Sequence, residues 1–360
     1  MAITWIMISS WTARAADAPN IIASEMRVEV HEVHELIFVV YALANRPLHD
    51  SLMIQHSTAY YNEVIAAFEG YQDFPLVQRV RKQLALHYHQ LRMDAANYHF
   101  NEAGQLIRNT ELDHISWGRR DCLEPYLSEL EELAQHMNFR SFYSRHSSYY
   151  EVLVERMHEQ AVPEQQIQWL EARFPNRYNS YRVVISPLCN GLHSTNYRIG
   201  EVVIFVSAPT LDGRWSAEER ESRDTRMLFT EFDHNYVNPI SDLYKGSIRR
   251  ALRHRSIWAN GGFSEGYSSA YAVFNEYMTW AVFLLYAHDH FDAARFAEVR
   301  KHLTSFMVND RGFPEFSWFT ARLLFHYQKQ KDTKNIALLI PVMIGECHAY
   351  DRNGAVALDE

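Results

Sequence analysis

Cysteine is scarce in this chain, which has three cysteines among its 360 residues. Cys122, Cys189 and Cys347 are odd in number and widely spaced, so they indicate neither a disulfide framework nor a zinc knuckle. The sequence leaves open whether two of them form a single bridge.

Excess positive charge is also lacking. The 35 Lys and Arg residues are outnumbered by 44 Asp and Glu residues, which gives a formal net charge of −9. Because contact with phosphates requires clustered positive charge, this composition argues against a nucleic-acid partner. No apolar run reaches the roughly 18 residues of a membrane-spanning helix. We therefore expect a globular protein with no integral membrane association.

Several glycine-containing motifs are missing as well. The sequence contains no G-x-S-x-G elbow, no P-loop and no G-x-G-x-x-G fingerprint. These motifs expose a nucleophilic serine or bring backbone amides close to phosphates, so their absence leaves serine hydrolases, NTPases and dinucleotide-binding enzymes without support.

The first 18 residues have some features of a secretory signal peptide. A short apolar run over residues 3–11 is followed by small residues of the type found at cleavage sites, although no positive segment precedes it. We predict a signal peptide over residues 1–18 and export to the periplasm or the extracellular space. The alternative is an N-terminal extension on a cytoplasmic protein.

The remaining chain predicts a mainly α fold with a small β-sheet. Apolar residues recur at helical spacing through residues 19–175, which we interpret as an N-terminal helical region. Residues 181–186 and 201–206 are β-branched runs between turn residues, and both are predicted strands. We assign residues 176–360 to a second region, in which residues 216–237 form a helix that Asn238 and Pro239 end.

That helix carries the most informative stretch of the sequence, T-E-F-D-H at residues 230–234. The layout is that of H-E-x-x-H, in which two histidines one helical turn apart bind zinc and the glutamate activates water. Glu231 and His234 occupy the glutamate and second histidine positions, whereas Thr230 replaces the first histidine. An isolated E-x-x-H is a weak signal, because acidic residues and histidines often meet at this spacing on surface helices.

Glu276 strengthens the signal. It lies in an apolar stretch of a predicted long helix, where a carboxylate needs a partner to offset its desolvation. The partner is either a metal ion or an Arg or Lys from another helix. In glutamate zincins the third zinc ligand comes from such a second helix.

These residues resemble a wider family pattern. The chain is similar to the uncharacterised bacterial domain of unknown function 4932, which is considered related to gluzincin metallopeptidases. The similarity rests on residues 139–143, 183–188, 231–239, 271–277 and 311–313. It implies a zincin-like fold, hydrolysis of a peptide or protein substrate, His234 and Glu276 as metal ligands, and Glu231 as general base.

With Thr230 in place of the first histidine, only two protein ligands remain, whereas a catalytic zinc has three. Glu231 could become a ligand, which would suit a harder ion such as Mn²⁺ or Fe²⁺. Alternatively, His193 could fill the gap, or the site could bind no metal and the protein could be an exported, non-catalytic binding module. His193, Tyr236, Tyr267 and Tyr277 are candidate contacts to substrate or to an oxyanion. We favour a hydrolase that uses zinc or another divalent metal.

Overall fold

The structure of the protein is a computed structural model that describes residues 25–45, 53–109, 121–191, 193–198, 201–209, 211, 216–331 and 334–358. The predicted signal peptide, residues 1–18, lies outside these ranges. The described chain is mainly helical with a small sheet, which confirms the predicted fold class at that level. Within the described ranges, no helix combines the length and apolar character needed to cross a membrane.

Fifteen α-helices are described. They are α1 (Glu32–Asn45), α2 (Ala59–Phe68), α3 (Pro75–Ala95), α4 (Leu127–His136), α5 (Phe139–Arg145), α6 (Ser147–Ala161), α7 (Pro163–Glu171), α8 (Ala217–Phe232), α9 (His234–Asp242), α10 (Lys245–Ala251), α11 (Arg255–Trp258), α12 (Ala270–His290), α13 (Ala293–Ser305), α14 (Phe316–Lys329) and α15 (Leu339–Leu358). A π-helical turn, Phe306–Asp310, follows α13 directly.

The main sheet has four strands in the order β1-β4-β6-β5. They are β1 (Glu25–Glu29), β4 (Ser180–Ser186), β5 (Ser194–Arg198) and β6 (Glu201–Ser207); a separate hairpin contains β2 (Tyr98–Phe100) and β3 (Leu106–Arg108). Strands β1, β4 and β6 are parallel, and β5 is an antiparallel edge strand. The structure confirms the two predicted strands as β4 and β6. The other four strands were not predicted.

The two predicted regions share this sheet. Strand β1 comes from the first region and pairs with β4 from the second, in a register that places Val28 opposite Val183. Both β4 and β6 are buried along nearly their whole length, as expected for parallel strands covered on both faces.

Helix α12 lies at the centre of the second region. It packs against α8, α9, α10, α13 and α14, and its residues from Val273 to Ala287 are all buried. A helix surrounded by protein is apolar around its whole circumference. The few polar groups on α12 therefore require specific partners, and Glu276 is one of them.

Candidate active site

Helices α8 and α9 position the T-E-F-D-H stretch. A capping box starts α8: the Ser216 Oγ accepts from the Glu219 amide at 3.2 Å, and the Glu219 carboxylate accepts from the Ser216 amide at 2.8 Å. Helix α8 ends at Phe232, and α9 begins at His234 after a single intervening residue, Asp233. The predicted single helix over residues 216–237 is therefore two helices.

The prediction that Asn238 and Pro239 end the helix is wrong, because Pro239 lies inside α9. A proline has no N–H to donate to the carbonyl four residues earlier, which here belongs to Asn235. The Tyr178 hydroxyl donates to that carbonyl oxygen at 2.6 Å, and the Asn176 side chain donates to it at 3.4 Å. These tertiary hydrogen bonds replace the missing helical one, so the helix continues to Asp242.

His234 and Glu276 meet between α9 and α12. The His234 Nε2 atom lies 3.6 Å from Glu276 Oε1, and the two side chains are 18% and 9% exposed. On the other side of the ring, His234 Nδ1 is 3.4 Å from Asn238 Oδ1, an amide oxygen that accepts a hydrogen bond from Nδ1–H. In that tautomer a lone pair on Nε2 faces a carboxylate oxygen. The pair then needs a positive charge between the two atoms, either a proton or a metal ion.

The second oxygen of Glu276 is bound to Arg311. The Arg311 Nη2 atom donates to Glu276 Oε2 at 2.7 Å and to the Tyr267 hydroxyl at 2.7 Å. Burial, and then the Glu276 carboxylate, raises the pKa of Tyr267 above its usual range. Arg311 directly follows the π-helical turn and lies in a glycine-containing loop. We did not predict this arginine as the partner of Glu276, although Arg311-Gly312-Phe313 is part of the family resemblance.

Glu231 and Asp233 add two further carboxyl groups near this pair. Burial raises the pKa of Glu231 to about 7, with His234 opposing the shift and Glu276 adding to it. Asp233 is fully buried, and neither of its carboxylate oxygens has a hydrogen-bond partner among the described residues. Burial, followed by the charges of Glu231 and Glu276, raises the pKa of Asp233 well above its ordinary value. Three carboxyl groups thus lie within electrostatic reach of three basic side chains, His234, Arg92 and Arg311.

Thr230 does not present its hydroxyl to this group. The residue is 6% exposed, and its Oγ1 donates to the Arg226 carbonyl at 3.0 Å and to the Met227 carbonyl at 3.4 Å. Such bonds to the preceding turn are typical of threonine inside helices and often bend them. The hydroxyl is therefore occupied within α8.

His193 lies in a different electrostatic setting. Its Nε2 atom is 2.9 Å from Ser207 Oγ, and burial and the charges of Arg92 and Arg226 lower the pKa of His193 to about 3. Its ring is neutral at physiological pH and has basic side chains as its charged neighbours. A cation would be repelled there, so the setting does not favour His193 as a replacement ligand.

The structure places Tyr236 and Tyr277 in the core. Both are fully buried. The Tyr236 hydroxyl is hydrogen-bonded to that of Tyr181, and the Tyr277 hydroxyl donates to the Trp258 carbonyl at 2.8 Å. Among the predicted site residues, the structure therefore brings Glu231, His234 and Glu276 together and places the Tyr267 hydroxyl on Arg311 beside them. Tyr236 and Tyr277 make structural contacts instead.

The donor set fits a metal ion in part. Two ligand atoms bound to one tetrahedral ion at about 2.1 Å each are about 3.4 Å apart, which is close to the His234–Glu276 separation of 3.6 Å. Over the part of the chain that the structure describes, however, no three His, Cys, Asp or Glu side chains form a group that could hold a metal ion. His234 and Glu276 therefore fit as two ligands of one metal ion, and the described residues supply no third side-chain ligand beside them.

The edge strand β5 lies beside this site. The Asn235 side chain on α9 donates to Thr195 Oγ1 at 2.8 Å, which links the start of α9 to the strand.

Family models, curated proteins and solved structures were compared with the chain, and none matched it. The family resemblance stays a prediction from the residues quoted above.

Proposed function

We propose that the protein is a metal-dependent hydrolase of the peptidase class, whose metal is held by His234 and Glu276. The observation that carries this proposal is the 3.6 Å approach of His234 Nε2 to Glu276 Oε1, with Glu231 close by on α8. Mg²⁺ often binds through only one or two protein carboxylates and keeps several waters, so a small number of protein ligands does not by itself prevent binding.

The carboxyl groups around the pair support a cation. Burial opposes ionisation of Glu231 and Asp233, and a bound cation would offset that cost by stabilising their charged forms. Bound there, a divalent ion would act as a Lewis acid and would lower the pKa of a bound water. Arg311 would then orient Glu276 by holding Oε2, which leaves Oε1 directed at His234.

Glu231 is suited to move the proton in this reaction. A general base works best when its pKa lies near the working pH, and in the protein without metal burial raises the pKa of Glu231 to about 7. The carboxylate can accept a proton from water and donate it to the leaving amine. Strand β5, at the sheet edge beside α9, offers main-chain groups along which an extended peptide could lie.

The second candidate function is a non-catalytic binding protein of the same fold. The ion pair between Arg311 and Glu276 favours it, because a protein cation already neutralises the carboxylate that a metal would need. Thr230 favours it as well, since its hydroxyl is hydrogen-bonded inside α8.

Metal content separates the two functions. We would measure metals by mass spectrometry in the tag-free protein and in Glu276→Ala, Glu231→Gln and Thr230→His variants, and assay each on a peptide library with and without chelator. The proposal predicts about one metal per chain in the parent, loss of it in Glu276→Ala, and a Glu231→Gln variant that keeps metal but loses hydrolysis. A metal-free parent that acquires zinc only as Thr230→His would establish the binding-protein alternative.

A further inference from the structure

A second site is built along the N-terminal half of α8. A cavity of about 540 Å³ lies between α8, α12 and α13. Three arginines line it, Arg223, Arg226 and Arg295, and its apolar wall includes Phe283, Leu303 and Phe306. A chain with a net charge of −9 has therefore placed three guanidinium groups around one partly apolar space.

Arg226 is the residue that most needs a partner. Its guanidinium carbon lies 5.1 Å from the ring centroid of Trp280 and 5.6 Å from that of Phe306. Among the described residues it forms no ion pair and its guanidinium makes no hydrogen bond. Burial lowers the pKa of Arg226 to about 10, and the neighbouring charges of Arg223 and Arg311 act in the same direction, with Asp224 opposing them.

Among the described side chains, the acidic residues that line the cavity do not meet this need. Glu219 is engaged at the start of α8, where its carboxylate accepts from the Ser216 amide. Glu298 lies on α13 and is exposed to solvent. A partly buried arginine that rests on aromatic rings without a carboxylate partner is suited to binding an anion from solution.

We propose that this cavity binds a small organic anion, with a carboxylate or phosphate group on Arg226 and an apolar body against Phe283 and Phe306. The guanidinium fork matches either anionic group with two parallel hydrogen bonds. A ligand with an apolar body removes the aromatic and aliphatic wall from water, whereas a fully hydrated inorganic ion does not. We therefore expect an organic anion to bind more tightly than an inorganic one. This proposal does not depend on the metal site.

The probe for the test is 4-fluorobenzoate, followed by fluorine NMR during titration with the full chain, with the neutral analogue 4-fluorobenzamide in parallel. Variants are Arg226→Met and, as a matched control, Arg249→Met, which removes an exposed arginine from α10. Competition with phenyl phosphate, acetate and inorganic phosphate shows which anionic group the site prefers.

We expect the benzoate to bind and the benzamide not to bind at the same concentration. Arg226→Met should weaken benzoate binding at least tenfold, and Arg249→Met should leave it unchanged. Val299→Trp, which fills the cavity from α13 and leaves all three arginines in the sequence, provides a second test if Arg226→Met fails to fold, and it should also block the aryl anions. The proposal would be overturned if a folded Arg226→Met or Val299→Trp variant bound benzoate as tightly as the parent. It would also be overturned if the parent bound neither aryl anion.

Discussion

Arg311 donates from Nη2 to Glu276 Oε2 at 2.7 Å, with the two side chains 15% and 9% exposed. This ion pair joins the loop after the π-helical turn to the centre of α12. A carboxylate at this depth requires a positive partner, and the structure supplies one from within the chain. The contact therefore has a structural role whatever the site does chemically.

The first prediction concerns the strength of this pair. Arg311→Met leaves Glu276 without its ion-pair partner, and we expect the free energy of unfolding to fall by about 3 kcal/mol, since removing one partner of a buried pair leaves an uncompensated charge. Adding Glu276→Gln removes that charge, so the double variant should recover at least half of the loss. Urea unfolding of the parent, both single variants and the double variant measures the coupling. Strictly additive losses in the free energy of unfolding would contradict the predicted coupling between Arg311 and Glu276.

The loop that holds Arg311 depends on a glycine. Gly312 has a φ of +75°, and a Cβ atom on it would lie 1.9 Å from the Gly261 carbonyl oxygen. Backbone hydrogen bonds connect the two segments at this point: Asn260 donates to the Gly312 carbonyl at 2.9 Å, and Ser264 donates to the Arg311 carbonyl at 2.8 Å. A side chain at position 312 must push these segments apart.

We therefore expect Gly312→Ala to lower the free energy of unfolding by about 3 kcal/mol or more, from backbone strain and the lost contact together. The matched control is Gly345→Ala, because Gly345 lies inside α15 with open space where its Cβ would be. That change should stabilise the protein by up to about 1 kcal/mol through helix propensity. Thermal and urea unfolding of both variants test the prediction, which would be wrong if the two changes had similar effects.

Local sequence signals predicted the elements well where one periodicity extended over many residues. The helical region predicted over residues 19–175 contains α1 to α7, and the β-branched runs agree with β4 and β6. The same signals could not reveal β1, since its pairing with β4 joins segments about 150 residues apart in the chain. Strand β5 was also missed, because it lies within the short connection between β4 and β6, where turn residues predict a loop.

The candidate site was predictable to a similar extent. Helical spacing placed Glu231 and His234 close together, and the apolar stretch around Glu276 showed that this carboxylate needs a partner. Spacing cannot show that the partner is Arg311, because that residue follows a π-helical turn and reaches Glu276 through a loop with two close backbone contacts. Pro239 illustrates the same limit, since a tertiary hydrogen bond from Tyr178 overrides its local preference.

The third prediction tests that hydrogen bond. Tyr178→Phe removes the hydroxyl that donates to the Asn235 carbonyl, and we expect a loss of about 1 kcal/mol in the free energy of unfolding. In a Pro239→Ala background, residue 239 regains an N–H that can donate to the same carbonyl, so Tyr178→Phe should cost clearly less there. Chemical unfolding of the four proteins gives the comparison. An equal cost in both backgrounds would show that the hydroxyl does not replace the helical bond.

The last prediction concerns pH and a carboxyl group distant from the site. Glu35 on α1 is fully buried, and its Oε1 accepts from the Tyr60 hydroxyl at 3.0 Å. Burial raises the pKa of Glu35 from an ordinary value of 4.5 to about 7, against the effect of its hydrogen bonds with Ser186 and Tyr60.

Between these two pKa values the unfolded chain releases the proton while the folded chain keeps it, so stability falls as the pH rises from about 4.5 to about 7 and then levels off. A shift of this size corresponds to about 3 kcal/mol. Glu35→Gln removes the titration, so this variant should match the parent near pH 4.5 and exceed its free energy of unfolding by up to about 3 kcal/mol at pH 8. Urea unfolding across this pH range measures the difference, with Glu155→Gln on the exposed face of α6 as control. A pH-independent difference between Glu35→Gln and the parent would mean that Glu35 does not titrate in this range.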